Sequence, residues 1–193
     1  LPNHNTIYPS NPFFEINELN ISNKLEGASR PGFFNGVLMI VLKLFNLIMP
    51  NFVYFGKKDI QQLYIVRNMI QDFNLPITIN ACETIREASG LAMSSRNQYL
   101  SAQEKEDAAI LYHTLKRGAE LIMKNGLVED VKAEMTKMLT HKKIRVDYLS
   151  ISDAKMFKEV TNSAVRPIIV SGAIYYNKIR LIDNVEVKKW TNI

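Results

Sequence analysis

Asn51-Phe-Val-Tyr-Phe-Gly-Lys-Lys-Asp-Ile-Gln-Gln62 is the stretch that decides the fold class. Its apolar start, Asn51–Phe55, stops at Gly56, as a buried parallel strand does when it runs into a turn. From Ile60 onward, Leu63, Val66, Ile70 and Phe73 recur at helical spacing. They give a helix over about 60–73 one apolar face, and Pro76 closes it. Upstream, Val37–Met49 is almost continuously apolar, so 34–49 reads as a buried core helix ended by Pro50. Downstream, Ile77–Cys82 reads as a second strand. Helix, strand, helix, strand in that order implies part of a parallel α/β sheet.

Further out the pattern changes. Residues 1–24 carry Pro2, Pro9 and Pro12 among several asparagines and read as loop. Residues 83–100 form a loop around Gly90. Ser101-Ala-Gln-Glu104 then makes a capping box at the start of a helix. That helix shows Ala108, Leu111, Leu115, Ala119 and Ile122 on one stripe, and Asn125-Gly126 ends it through an αL cap. A helix over about 128–140 carries Val131, Met135 and Met138. Val146–Ser152, Ile168–Tyr176 and Ile179–Asp183 read as short antiparallel strands, the last two joined at Asn177-Lys178. The expected architecture is α/β: residues 1–100 a partial nucleotide-binding domain, the second half of a Rossmann-like parallel sheet, and residues 101–193 a small α+β domain.

Composition narrows the function classes. Of 193 residues, 47% are hydrophobic and 22% charged, as in an ordinary globular protein. The net charge of +5 comes from 24 basic and 19 acidic residues spread along the chain, with no arginine-rich arm. Binding to nucleic acid is therefore not expected, whereas a small anionic ligand fits the same balance. Cys82 is the only cysteine, which excludes an intrachain disulfide and fits a reducing, cytoplasmic setting. His4, His113 and His141 lack ligand-like spacing, so no metal site is expected. The 37–49 run is too short to span a bilayer, and Lys43 and Asn46 interrupt it. No signal peptide is recognisable, and the opening Leu-Pro-Asn suggests a fragment of a longer protein.

Three segments can carry chemistry: Leu25-Glu-Gly-Ala-Ser-Arg-Pro-Gly32, Phe55–Gln62 and Ser89-Gly-Leu-Ala-Met-Ser-Ser-Arg-Asn97. In open parallel sheets, ligands bind beyond the carboxyl ends of the strands. There Gly56 permits close backbone approach, the following helix offers free N–H groups, and Lys58 adds a point charge for a phosphate. The same residues also fit a plainer reading in which Asp59 caps the helix, Gln62 completes a capping box and the lysines are solvated. A P-loop is excluded by spacing. Ser94, Ser95 and Arg96 beside the Gly90 hinge can grip phosphate oxygens, or form a polar surface loop leading to the Ser101 cap. Arg30 in Arg-Pro-Gly fits a turn. Met93, Ile40, Val41 and Leu44 read from the residues alone as packing.

LEGASRPG (25–32), FGKKDIQQL (55–63), GLAMSSRNQYL (90–100) and RLIDN (180–184), in this order, resemble the pantothenate synthetases over about Ile7–Val187. That resemblance implies an ATP-dependent ligase that adenylates pantoate and transfers the pantoyl group to β-alanine. It implies ATP held by Gly56, Lys57, Lys58 and Asp59, with Lys58 on the phosphates and Asp59 near the ribose. Met93, Ser94, Ser95 and Arg96 would form a phosphate loop and Ile85 would lie beside the adenine. Lys58, Ser94, Ser95 and Arg96 would act in the chemistry. Gln62 would bind pantoate, with Ile40, Val41 and Leu44 against its dimethyl group. Mg²⁺ would share the phosphate charge, and a cytoplasmic homodimer is implied.

The sequence departs from the resemblance in several places. Phe33 stands where the family commonly has histidine, Met39 where it has a small hydroxyl residue, and Lys57 where it has an acid. The family's His-x-Gly-His motif does not occur, which is expected to leave this chain alone inactive or nearly so. The alternative expectation is a non-catalytic remnant or interaction module of the same family. A third, RNA binding driven by net charge, would require strong salt-dependent association.

Overall fold

The computed structural model describes residues 3–10, 12–140, 142–162 and 167–188. They fall into two units, one holding Leu1–Phe55 and Gln61–Cys82, the other Gly56–Ile60 and Glu83–Ile193. The short Gly56–Ile60 segment thus leaves the unit that flanks it on both sides.

The first unit contains α1 (His4–Ile7), α2 (Glu26–Ser29), α3 (Phe33–Ile48), β1 (Phe52–Gly56), most of α4 (Ile60–Asp72) and β2 (Thr78–Cys82). β1 and β2 form a parallel two-stranded sheet, and the Thr78 N–H donates to the Asn51 carbonyl at 2.9 Å. β1 is not the buried strand its apolar run predicts: Phe52 and Tyr54 are 61% and 72% exposed. With one neighbour in its sheet, the strand keeps only Val53 and Phe55 half-buried. α3 is likewise buried on one stripe only, at Phe34, Leu38 and Phe45, while Leu47, Ile48 and Met49 at its end are exposed. A uniformly apolar run carries no periodicity, so it could not reveal which face is covered. The helix does stop before Pro50, with Met49 at φ 48° and its N–H on the Phe45 carbonyl. Along α4 the predicted stripe is buried at Ile60, Leu63, Val66 and Ile70, whereas Phe73 lies beyond the helix end and is exposed.

Part of the 1–24 stretch, read as loop, is tightly organised. The Glu18 carboxylate accepts the N–H groups of Asn20, Ile21 and Ser22. Gln61, buried on α4, donates from Nε2 to the Ile21 and Lys24 carbonyls at 2.7 and 2.8 Å. Its Oε1 accepts the Glu26 N–H at 3.1 Å.

In the second unit, α5 (Ala102–Ala108), α6 (Ile110–Met123) and α7 (Val128–Met138) precede an antiparallel sheet of β3 (Ile144–Asp153), β4 (Ile168–Tyr176) and β5 (Ile179–Val187), in the order β3-β4-β5. The predicted capping box is present: Ser101 Oγ accepts the Glu104 N–H, and the Ser101 N–H bonds the Glu104 carboxylate. That bond holds the Glu104 carboxyl below its ordinary range. The single helix expected after it is divided in two at buried Ala109, where ψ is −15°. Asn125 takes the left-handed conformation at φ 59° and Gly126 bonds back to the Leu121 carbonyl, as the αL cap requires. The core joins Leu111, Leu115 and Ile122 of α6 and Met135 of α7 to Ile151, Val170 and Ile174 of the sheet. β4 keeps its sequence limits, whereas β3 and β5 outrun theirs. β5 continues to Val187 because Val187 still pairs with Ile168, so Arg180–Asn184 lies within a strand.

Tyr176 ends β4 fully buried, its hydroxyl donating to Asp107 at 2.8 Å. Burial first, and then the hydrogen bond and charge of Asp107, push its pKa up to about 12. A folded-state value above the unfolded one of about 10 means that this contribution is intact below pH 10 and lost as pH rises towards 12. Denaturant titrations between pH 9 and 12 are expected to show stability falling steeply in the parent protein. They should show a shallower fall in Tyr176→Phe. Parallel curves would remove this role.

Candidate nucleotide site

The second unit gathers most of the predicted phosphate-holding residues. Lys57–Asp59 form a 3₁₀ turn that runs directly into α4, with Gly56 as its cap at φ −71° and ψ 135°. Because the chain is already helical at Lys57, Asp59 does not cap the helix, and no side-chain cap bond is made. A Cβ on Gly56 would meet nothing within 4 Å. Neither backbone angle nor packing requires glycine there.

Residues 85–93 form a tight hairpin rather than an open loop. The Met93 N–H bonds the Ile85 carbonyl, Arg86 bridges Ala92, and the Glu87 N–H bonds the Leu91 carbonyl. Gly90 turns it at φ 96°, and a Cβ there would sit 2.7 Å from the Tyr112 ring. Buried Asn97 ties the hairpin to the 3₁₀ turn at Ser95–Tyr99, donating to Glu87 Oε1 at 2.8 Å and the Ala92 carbonyl at 3.1 Å. Ser94 caps that turn by accepting the Arg96 N–H.

Lys58, Ser94 and Arg96 line one cleft with Leu91, Tyr112, Arg180 and Asp183 among its other walls. Three cationic side chains and one carboxylate face it. Asp183 is paired with Arg86, and Arg180 with Asp147 at 2.7 Å. The Lys58 ammonium lies 3.9 Å from Asp59, and Arg96 donates to the Arg180 carbonyl at 3.3 Å rather than to an acid. Cations thus predominate on its walls. Ser95, Met93 and Ile85 are exposed beside it. Lys57 enters a neighbouring cavity, ion-paired with Glu83 and 4.0 Å from Glu186. Its hydrogen bond holds the Glu83 carboxyl below the usual range.

Gln62, Ile40, Val41 and Leu44 belong to the first unit, on α4 and α3, all half-buried. Arg30 stacks its guanidinium 3.6 Å from the Phe33 ring centroid, a local turn contact. Gly32 at φ 77° supplies the left-handed entry to α3.

Several residues that shape the site carry no obvious mark in the sequence. Asn184 Nδ2 donates to the Lys57 and Lys58 carbonyls, both at 2.9 Å. Asp183 holds Arg86 through two bonds of 2.6 and 3.0 Å. Arg86 also donates to the Gly90 carbonyl and stacks on Tyr112 at 3.7 Å. The one available signal was the Asp183-Asn184 pair, polar and consecutive inside an apolar strand run. Among the described residues no group of three or more His, Cys, Asp or Glu side chains could hold a metal, and no helix is long and apolar enough to cross a membrane.

Known proteins are similar to this chain in sequence and in fold. The family model for pantoate-beta-alanine ligase matches residues 1–186. The chain is 42% identical over 191 residues to a pantothenate synthetase of Shewanella pealeana, covering 97% of this chain and 66% of the relative. It is 40% identical over 185 residues to one of Thermosipho africanus, covering 95% and 66%. The crystal structure of a pantothenate synthetase from Thermus thermophilus superposes with a TM-score of 0.91 at 35% identity, over 97% of this chain and 68% of that one. A pantoate-beta-alanine ligase from Francisella tularensis, solved with beta-gamma ATP and beta-alanine, gives 0.71 at 32%, over 95% and 62%. The chain spans about two thirds of the length of the curated relatives it matches. On these matches, the chain belongs to the pantoate-beta-alanine ligase family.

Proposed function

We propose that this chain carries the ATP-holding and part of the pantoate-holding machinery of a ligase that joins pantoate to β-alanine through a pantoyl adenylate. The observation that supports it most is the cleft shared by Lys58, Ser94 and Arg96, beside a turn with no internal need for Gly56. In the first step a pantoate carboxylate oxygen bonds to the α-phosphorus and the bond to pyrophosphate breaks. Negative charge grows on the phosphate oxygens, and fixed cations and hydroxyls aimed at them lower the barrier. Lys58 and Arg96 supply the charge and Ser94 and Ser95 the hydroxyls. Asp59 faces the ribose, and Ile85 and Met93 offer apolar surface to the adenine. In the second step the β-alanine amine attacks the acyl carbon and AMP leaves.

Gln62 receives pantoate, and Ile40, Val41 and Leu44 pack its dimethyl group. The described acids do not make a metal cage, so Mg²⁺ fits only as the counterion that ATP brings on its phosphates. A homodimer in the cytoplasm is the setting this reading implies. The remnant reading gains nothing from Lys57, since the reversed charge is met by Glu83 and Glu186 instead of being left beside the nucleotide.

Calorimetric titration with MgATP is expected to give saturable binding to the 193-residue chain. Because the sequence has no His-x-Gly-His, pantothenate formation by these residues alone is expected far below a relative's rate. A flat titration would overturn the nucleotide assignment, and turnover near a relative's rate would overturn the second expectation.

A further inference from the structure

We infer that Asp183-Asn184 of β5 is the positioning element that sets both phosphate-holding segments, Asn184 the 56–59 turn and Asp183 the 85–93 hairpin. This rests on reading those segments as the phosphate site. Neighbouring strand residues point to opposite faces, so one dipeptide reaches two different segments.

Asn184 acts through geometry. The Lys57 and Lys58 carbonyls can only accept, which assigns the forked atom as the Nδ2 amide, whose two hydrogens serve the two bonds of 2.9 Å. In a trans peptide the carbonyl and the following N–H point in opposite directions. Pinning the carbonyls of Lys57 and Lys58 to β5 therefore aims the N–H groups of Lys58 and Asp59 away from β5. At the start of a helix such N–H groups have no intrahelical acceptor. The same bonds fix where the Lys58 side chain leaves the backbone. Asn184 is itself fixed, buried, with its own N–H on Asp183 Oδ1 at 2.8 Å.

Asp183 does the equivalent for the hairpin. Its two-point grip on Arg86 fixes the guanidinium plane, which stacks on Tyr112 and donates to the Gly90 carbonyl at 3.1 Å. The hairpin that leads into Ser94 and Arg96 is thus anchored to the same strand as the lysine turn.

The test is MgATP titration of the full chain carrying Asn184→Asp, Lys58→Ala or both, read beside hydrogen exchange at amides 57–60. Asn184→Asp keeps the size but sets a carboxylate against two carbonyls. It is expected to weaken ATP binding by between about tenfold and a hundredfold, and to speed exchange at 57–60 while β4 is unchanged. The double variant should lose less than the product of the two single losses, because Asn184 acts through the placement of Lys58. Lys58→Ala weakening ATP while Asn184→Asp leaves it within about twofold would overturn this inference alone, as would multiplicative losses. No change in either variant would take down the nucleotide reading and the inference together. If Asn184→Asp fails to fold, Asn184→Ser, whose hydroxyl has one hydrogen for two carbonyls, is judged by the same criteria.

Discussion

In the full-length enzyme, Lys58→Ala is expected to slow pantoate adenylation by about 10²-fold to 10³-fold, with little change in thermal midpoint. The two halves of that expectation have separate physical sources. The ammonium lies in the cleft with Ser94 and Arg96, where the transferring phosphate would gain charge. Its loss removes an interaction that strengthens in the transition state, so kcat falls along with ATP affinity. The contact that Lys58 makes to the fold is different: its backbone carbonyl accepts from Asn184, and alanine keeps that carbonyl. The side chain's ion pair is long, at 3.9 Å, and its partner, adjacent Asp59, is half in solvent, so it is worth little to stability. Pyrophosphate exchange into ATP, scored per folded molecule beside a melting curve, checks both. A collapsed midpoint with normal turnover per folded molecule would make Lys58 a structural residue.

Gly27→Ala should be among the most damaging single changes, costing about 4 kcal/mol or more of stability. A Cβ on Gly27 would fall 1.7 Å from the Ser22 carbonyl oxygen and 2.6 Å from its carbon. These are backbone atoms, so no rotamer change can make room. Relief would require moving α2 away from the 18–24 stretch, and that stretch is fixed on both sides. Glu18 holds three of its N–H groups, and buried Gln61 bonds Ile21, Lys24 and Glu26. Displacement would strand the Gln61 amide, adding the desolvation cost of unpaired polar atoms, about 1–3 kcal/mol each. Urea titration checks it against Gly36→Ala, where a Cβ meets nothing within 4 Å. That control, inside α3, is expected to be neutral or to stabilise by up to about 1 kcal/mol. Equal midpoints for the two variants would refute the packing account.

These two residues illustrate what a linear sequence discloses. The lysine turn was readable because a strand end, a glycine and a helix start are adjacent in the chain. So was the Ser101–Glu104 cap, a relation across three residues. Local signals failed where the outcome depends on neighbours. The apolar runs of β1 and α3 gave the elements correctly but not their exposed faces, because burial depends on what covers them. Ala109 gave no sign of dividing the helix, since alanine is an ordinary helix residue. Gln61 and Gln62 are indistinguishable by type, and only the fold shows Gln61 turned inward to bind three backbone groups. Asn184 and Asp183 find their partners 97 to 127 positions away, a distance over which no periodicity carries information.

The fork from Asn184 also has a bearing on how the protein comes into being. Its two bonds join residues 126 and 127 positions apart. A nascent chain releases the lysine turn well before the strand that orients it. Bringing such distant segments together must await closure of a long loop, which makes the contact a late one in folding. On the proposed reading, the lysine turn is therefore oriented only once β5 has been made, and products that stop before β5 carry the same lysines without that anchor.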